Sequence, residues 1–202
     1  MKFKSYSIED LKNNEIEHII DTTIMMTYNP SIARIFSKEI NKENKRIIRK
    51  FVNKLQKINS KEAYNKLIKN TIKETKKKNK GITVGQAQKG INVFAKVFVD
   101  WMDGLKLYKK RKLNRKLKGW LHCPLDSKVM GYIRNKKNGR FYECYKKILK
   151  ESKYKNLPYN LKDITNIKQY NYWQEIIKCI YSKKPVLVDT IWFLERLKER
   201  NK

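Results

Sequence analysis

Apolar residues recur at intervals of three and four along most of the chain, the pattern of amphipathic helices. This spacing predicts helices over residues 47–58, 84–102, 141–154 and 167–180, and a last helix after Pro185. Further segments with the same spacing are 11–24, 31–36, 60–72 and 127–133. No segment alternates between apolar and polar residues as a half-buried strand does. The sequence therefore predicts an all-α protein of eight or nine helices.

Three segments interrupt this pattern. Thr75 to Gly81 (TKKKNKG) predicts a basic junction that breaks the helix, and Tyr108 to Gly119 predicts an exposed loop or a frayed helix. The segment Leu121 to Asp126 ends that basic run, and Asp126 or Ser127 is the expected N-cap of the next helix. No linker is long enough to separate independent domains. We expect a single compact domain over residues 1–202.

The predicted domain has two possible lobes. The first would contain residues 1–75 together with the C-terminal helices, and the second would contain residues 76–155, which include the glycine-containing turn. The basic segment 76–80 is expected near the cleft between the lobes.

The charge balance is strongly positive, with 49 Lys and Arg against 19 Asp and Glu and a net charge of +30. Such a charge destabilises a compact fold through self-repulsion, and a polyanion that releases counterions on binding is its natural partner. AT-rich coding explains an excess of Lys and Asn but not this ratio. An acidic membrane surface calls for one basic amphipathic helix with a clean apolar face, whereas the basic residues here are spread over the chain. We expect nucleic acid as the partner, double-stranded DNA first, and a monomeric protein.

The sequence gives little support for metal or membrane chemistry. The three cysteines, Cys123, Cys144 and Cys179, form no CxxC pair, and an iron–sulfur cluster normally needs four. We therefore expect no metal and no cofactor. An odd cysteine count is typical of the reducing cytoplasm, so we expect a cytoplasmic protein, associated with the nucleoid if it binds DNA. No apolar signal core or run of membrane-spanning length is present.

One short segment combines several features suited to an anionic ligand. Residues 80–85 (KGITVG) form a glycine-containing turn that leads into a helix, and backbone N–H groups at a helix start bind phosphate well. Lys89 follows Gly85 by about one helical turn, and Lys96 lies on the same face two turns later. By spacing alone Lys89 is a solvated or phosphate-contacting lysine, and Asp126 and Asp189 are helix caps.

The stretches GQAQKGINVFAKVFVDW, LHCPLDSKV and PVLVDTIWFL together resemble the helix-hairpin-helix DNA glycosylase superfamily. The strongest resemblance is to its archaeal 8-oxoguanine glycosylase branch. The resemblance covers roughly residues 81–197, discontinuously. It implies a two-lobed helical fold with a central cleft for DNA and an extruded base. Thr83 stands where the family hairpin usually has its first glycine, and 37 residues separate Lys89 from Asp126, a few more than the branch usually has.

The resemblance assigns roles to particular positions. Lys89 matches the lysine that forms a Schiff base with the sugar, and Asp126 in Pro-Leu-Asp matches the catalytic aspartate. Lys96 matches the second lysine of the base pocket. Asp189, with Trp192 or Phe193, matches the remaining contacts to the flipped base. The residues expected to contact DNA are Lys80, Gly81, Thr83, Gly85, Gln86 and Lys128.

The implied activity is that of a bifunctional DNA glycosylase and AP lyase, which excises a damaged base, 8-oxoguanine first, and cleaves the strand by β-elimination. The chemistry suits the residue types, since a lysine amine in a dry pocket can attack the sugar and a nearby carboxylate can assist it. The alternative is a basic DNA- or RNA-binding protein without catalysis. A phage- or defence-related protein that binds another protein is a third possibility.

Overall fold

The described part of the chain is helical throughout its regular structure. The computed structural model describes residues 18–24, 41–104, 111–188, 190, 191 and 194. Over these residues no β-strand occurs, which confirms the predicted all-α class. None of the described helices has both the length and the hydropathy needed to cross a membrane.

Residues 18–24 belong to the first helix, α1. The following helices are α2 (Asn41–Leu55), α3 (Lys61–Lys78), α4 (Val84–Gly104), α5 (Arg111–Trp120), α6 (Ser127–Arg134), α7 (Gly139–Glu151) and α8 (Ile167–Ile180). Short 3₁₀ turns lie at Lys136–Asn138, Leu161–Asp163 and Pro185–Leu187. Residues 11–17 of the predicted helix 11–24 and the whole predicted helix 31–36 lie outside the described residues.

The most apolar helix, α4, lies at the centre of the packing. It contacts α3, α5, α8 and the turn Leu161–Asp163, while α7 packs between α6 and α8. Gln88, Asn92 and Val99 of α4 are buried although the spacing did not single them out. The predicted inward residues Val84, Ala87, Ile91, Phe94, Ala95 and Phe98 are all buried as well. They belong to one continuous apolar cluster that includes Trp173 of α8 and Phe51 of α2. The core therefore holds α4 fixed from several sides, and side chains at the edge of its buried face occupy defined positions.

Two predicted interruptions are partly helical in the structure. The helix α3 continues through Thr75 to Lys78, because Thr75 is buried, the backbone amide and side chain of Asn79 donate to its carbonyl, and lysines at a helix C-terminus favour the helix dipole. The helix break predicted within residues 75–81 is present, but it begins at Asn79 rather than at Thr75. The basic run after Tyr108 contains α5, which buries Leu117 against the core.

A disulfide joins α7 and α8. Cys144 and Cys179 are bonded, with their Cα atoms 5.6 Å apart and 35 residues between them in sequence, and Cys123 is buried elsewhere in the core. The cysteine count had suggested a reducing compartment, where disulfides are uncommon. That inference from the count does not hold, because two of the three cysteines form a cross-link.

Removal of this cross-link is expected to lower stability. Closing a loop of this length restricts the unfolded chain by about 4 kcal/mol, which corresponds to a fall in Tm of about 8–16 °C for a chain of this size. The measurement is thermal unfolding of the wild type with and without reductant and of the double variant Cys144→Ser/Cys179→Ser. Reductant should leave the Tm of the double variant unchanged. Equal Tm values for the oxidised and reduced wild type would contradict the expectation.

Candidate functional site

The two residues that the resemblance assigns to catalysis meet in the structure. The amine of Lys89 on α4 donates to Oδ2 of Asp126 at 2.5 Å, although 37 residues separate them. Asp126 is the N-cap of α6, and its other oxygen, Oδ1, accepts from the Lys128 amide at 2.8 Å. The side chain of Lys89 is 17% exposed and that of Asp126 is 32% exposed. The pair is thus screened from bulk water but remains open to a ligand.

The ionisation of Asp126 is set by these contacts. Burial by itself raises the pKa of Asp126, but hydrogen bonds from the Lys89 amine and the Lys128 amide, with the charges of both lysines, bring the pKa below its usual value. The carboxyl group is therefore an anion throughout the neutral range. An anion fixed beside an amine can stabilise positive charge that develops on a bound sugar.

A buried glutamine fixes the loop before Asp126 to α4. Gln88, which precedes Lys89 and is fully buried, donates to the carbonyls of Gly85 (2.9 Å) and Leu125 (3.2 Å). Its carbonyl oxygen accepts from the Leu125 amide (3.2 Å) and from Asn92 (2.9 Å). Because Leu125 directly precedes Asp126, these bonds set the position of the carboxylate relative to Lys89.

The same loop is held from α8 and α3. Gln174 of α8 accepts from the Cys123 amide at 3.1 Å and donates to its carbonyl at 2.8 Å. His122 lies between Asn65 of α3, whose Oδ1 is 2.9 Å from Nε2, and Tyr170 of α8, whose hydroxyl is 2.5 Å from Nδ1. Three neighbouring loop residues are therefore anchored by side chains from three helices, and the loop that presents Asp126 has little freedom.

His122 is neutral in this environment. Burial, followed by the positive charges of Lys178, Lys69 and Lys61, lowers the pKa of His122 to about 3. The carbonyl oxygen of Asn65 can only accept, so Nε2 carries the proton and Nδ1 accepts from the Tyr170 hydroxyl.

Because of His122, the protein is expected to become less stable as the pH is lowered below about 6.5. Below about pH 6.5 the unfolded chain binds a proton that the folded state excludes down to a pKa of about 3, so the free energy of unfolding falls by up to about 1.4 kcal/mol per pH unit in that window. Denaturant unfolding at pH 7, 5.5 and 4.5 measures this slope. In His122→Gln the slope between pH 6.5 and 4.5 should be smaller. An equally steep loss in that variant would assign the effect to other groups.

In the predicted phosphate-binding turn, several backbone amides already donate hydrogen bonds within the protein. The Thr83 amide donates to Gln86 Oε1 at 2.9 Å, and the Gly85 amide donates to the Ile164 carbonyl at 2.9 Å. The Gln86 amide faces the Thr83 hydroxyl at 3.3 Å. These three N–H groups have partners within the protein, and the expected contact of the turn with DNA stays a prediction.

The glycine at position 85 serves packing in this turn. A β-carbon there would collide with the Leu161 carbonyl, so glycine lets the turn Leu161–Asp163 approach the start of α4. The Thr83 hydroxyl donates to the same carbonyl at 2.7 Å. Gly81, with φ +86°, is the residue whose backbone conformation itself favours glycine in this turn.

The other predicted site residues lie in different settings. Lys80, Gly81 and Lys128 are exposed, and Gln86 and Thr83 are half-buried. Lys96 is half-buried on α4, two turns beyond Lys89. Asp189, Trp192 and Phe193, the predicted base-pocket residues of the last helix, lie outside the described residues.

Comparison with known proteins found no match: no protein-family model, no curated protein and no solved structure is detectably similar to this chain. Among the residues that the structure describes, no group of three or more His, Cys, Asp or Glu side chains is arranged to hold a metal ion.

The sequence reasoning missed the buried polar residues that position the site. Gln88 falls on the apolar stripe of α4, between Val84 and Ile91, and Gln174 falls on the stripe of α8, between Tyr170 and Ile177. A polar side chain at an inward position is expected to have a hydrogen-bonding partner, because burial without one is costly. That signal could have identified both glutamines as anchors. It does not identify their partners.

Proposed function

We propose that this chain is a DNA glycosylase with AP lyase activity, in which Lys89 is the nucleophile and Asp126 the assisting carboxylate. The observation that carries the proposal is the 2.5 Å contact between the Lys89 amine and Asp126 Oδ2. An amine beside a fixed carboxylate, partly screened from water, is the pairing that nucleophilic attack on a sugar requires.

The elements around this pair support the proposed fold family. Helices α3 and α4 are joined by the tight turn at residues 79–83 and pack against each other, as the two helices of the proposed motif would. Lys89 lies about one and a half turns into the second of these helices, and Asp126 is the N-cap of a later one. We extend the proposal to the two-lobed glycosylase fold with a cleft that admits an extruded base.

The proposed reaction begins on an extruded nucleotide, since a paired base is not accessible to the enzyme. Lys89, which forms an ion pair with Asp126, first gives up one proton, and the lone pair of the resulting amine forms a bond to C1′ as the bond from C1′ to the base nitrogen breaks. The base leaves with that electron pair and takes up a proton, and the amine nitrogen gives up another. Opening of the sugar ring, in which O4′ takes up a proton, yields the Schiff base. Loss of a C2′ proton then expels the 3′ phosphate and cleaves the strand.

Asp126 would act in two ways. As an anion it stabilises the positive charge that develops on the sugar when the base departs. Through its hydrogen bond it also keeps the Lys89 amine directed to one position, which lowers the entropy cost of the attack. The damaged base that we propose as first candidate is 8-oxoguanine in double-stranded DNA.

Borohydride trapping tests the proposal directly, because borohydride reduces a Schiff base to a stable amine and leaves protein covalently joined to DNA. Duplexes with a single 8-oxoguanine, with a single abasic site and with neither are the three substrates. We expect a covalent product with the two damaged duplexes and none with the intact one. Absence of a product on both damaged duplexes would overturn the lyase.

A second candidate function is nucleic-acid binding without catalysis. Its supporting observation is that Asp126 already has a structural role as the N-cap of α6 and as the ion-pair partner of Lys89. A net charge of +30 would be sufficient for DNA or RNA binding alone. Under this candidate no substrate would give a trapped product, and binding would persist.

Both candidates predict that binding weakens steeply with salt. A protein that neutralises about 6–10 phosphates loses roughly three to five powers of ten in affinity between about 50 and 200 mM salt. Fluorescence anisotropy of a labelled duplex measures this slope. A dissociation constant that changes less than about tenfold over that range would contradict nucleic-acid binding through the basic surface.

A further inference from the structure

An exposed tyrosine beside the α3–α4 turn is held in an unusually defined position. Tyr159 is 50% exposed, and it is one of two large apolar side chains that are so exposed in the described part of the chain. Leaving an aromatic ring in water forgoes the stabilisation that its burial would bring. Single exposed apolar residues are common, so exposure alone indicates little. What distinguishes Tyr159 is that its ring and the backbone beside it are held by neighbouring residues.

Tyr159 is the outermost member of a stack that begins in the core. The buried rings of Trp173 and Tyr145 are stacked, with centroids 5.8 Å apart and an angle of 27° between their planes. The guanidinium carbon of Arg134, at the end of α6, lies 5.9 Å from the Tyr145 centroid and 4.4 Å from the Tyr159 centroid. Arg134 thus links the exposed ring to two buried ones.

The backbone on both sides of Tyr159 is also fixed. The indole N–H of Trp173 donates to the Pro158 carbonyl at 2.7 Å, one residue before the tyrosine. The Thr83 hydroxyl donates to the Leu161 carbonyl at 2.7 Å, two residues after it. The ring is therefore presented to solvent in one orientation, and a ligand that stacks on it loses little entropy in ordering it.

Charge around the ring favours a nucleic acid. Arg134 contacts the ring and is followed by the exposed lysines Lys136 and Lys137. Lys155 and Lys162, also exposed, lie within four residues of Tyr159, where the one acid is Asp163. An aromatic ring bordered by cations is the arrangement that binds a base on its face and phosphates beside it.

The position relative to Lys89 suits DNA held at the proposed site. The Thr83–Leu161 bond joins the Tyr159 loop to the start of α4, six residues before Lys89. Helix rise and chain reach together limit the Cα separation of Tyr159 and Lys89 to about 25 Å. That distance corresponds to roughly seven base-pair steps, so one bound duplex can reach both.

We infer that Tyr159, supported by Arg134, is a stacking platform for an unpaired nucleobase of the bound DNA. In an intact duplex both faces of each base are covered by neighbours, so only an unpaired base offers a face to the ring. Extrusion of a nucleotide, which the proposed function requires, creates such bases. The inference rests on the proposed DNA binding but not on the Schiff-base chemistry.

Binding to two duplexes tests the platform: one fully paired, and one of equal length with a single bulged 2-aminopurine. Stacking on an aromatic side chain contributes enough that Tyr159→Ala should bind the bulged duplex roughly tenfold more weakly. Its affinity for the paired duplex should change less than about twofold. The fluorescence of the 2-aminopurine should fall on binding to wild type and recover with Tyr159→Ala.

Tyr159→Phe and Tyr159→Trp are the matched controls, since both keep a ring but lack the phenol hydroxyl. Both should bind the bulged duplex as wild type does. Unchanged binding by Tyr159→Ala, an equal loss on both duplexes, or a loss in Tyr159→Phe equal to that in Tyr159→Ala would each overturn the inference. If wild type binds neither duplex, the proposed function fails as well. If wild type binds but gives no borohydride product, only the catalytic proposal fails.

Discussion

Replacing Lys89 with glutamine is expected to abolish covalent trapping and to lower strand cleavage at an abasic site by at least about a thousandfold. The amide has no lone pair available for attack on C1′, and removal of a covalent nucleophile typically costs this much or more. Glutamine remains polar and can donate to Asp126 in place of the amine, so we expect the fold to survive. Borohydride trapping and cleavage of a labelled abasic duplex are the two measurements.

Lys147→Gln is the matched control for the loss of one positive charge, because Lys147 is exposed on α7. It should trap and cleave as wild type does, and Lys89→Gln should still bind duplex DNA. A trapped product from Lys89→Gln equal to that of wild type would assign the Schiff base to another amine.

Asp126→Asn separates the catalytic role of this residue from its structural role. Asparagine is as good an N-cap as aspartate, so the bond from the Lys128 amide and the start of α6 should persist. The negative charge is lost, and base excision should therefore fall strongly while the Tm changes little. Wild-type excision by Asp126→Asn would leave Asp126 as a helix cap alone.

Replacing Gln88 with leucine is expected to lower the free energy of unfolding by about 3 kcal/mol and the Tm by about 6–12 °C. Leucine fills a similar volume but cannot bond to the Leu125 amide or to the carbonyls of Leu125 and Gly85. These groups would stay buried without their present partner, and each such loss is costly. Thermal and urea unfolding of the purified variant measure the change.

Gln56→Leu is the control, since Gln56 is half-buried just beyond α2 and its replacement should change the free energy of unfolding by less than about 0.5 kcal/mol. Below its Tm, Gln88→Leu should also give less trapped product per folded molecule, because Leu125 directly precedes Asp126. A Tm equal to that of wild type would show that the glutamine does not anchor the loop.

The helical class and most helix positions followed from the sequence. The apolar spacing of residues 84–102 predicted the apolar side chains that α4 buries between Val84 and Phe98, but not its buried Gln88 and Asn92, and Asp126 was one of two expected caps of α6. These properties depend on neighbours within one or two turns, which the sequence displays directly. Composition alone was a poorer guide. The basic runs that contain the end of α3 and most of α5 are more helical than their composition predicted.

The candidate pair itself came from a resemblance, and its geometry came from the fold. Nothing in the spacing of Lys89 and Asp126 indicates a 2.5 Å contact across 37 residues. The fold brings them together because Gln88 holds the loop that leads to Asp126 against the helix that carries Lys89. Hydrogen bonds between distant segments depend on how the helices pack.

The sequence by itself determined the helical class and the large positive charge, and its resemblance to a family proposed Lys89 and Asp126 as a candidate pair. Tertiary structure alone decided which groups meet. In the folded protein the Gly85 amide of the glycine-containing turn donates to the Ile164 carbonyl, and Cys144 is bonded to Cys179. The ring of Tyr159 is left exposed to solvent. Periodicity and charge are properties of neighbouring residues, whereas each of these contacts requires segments far apart in the chain to be packed together.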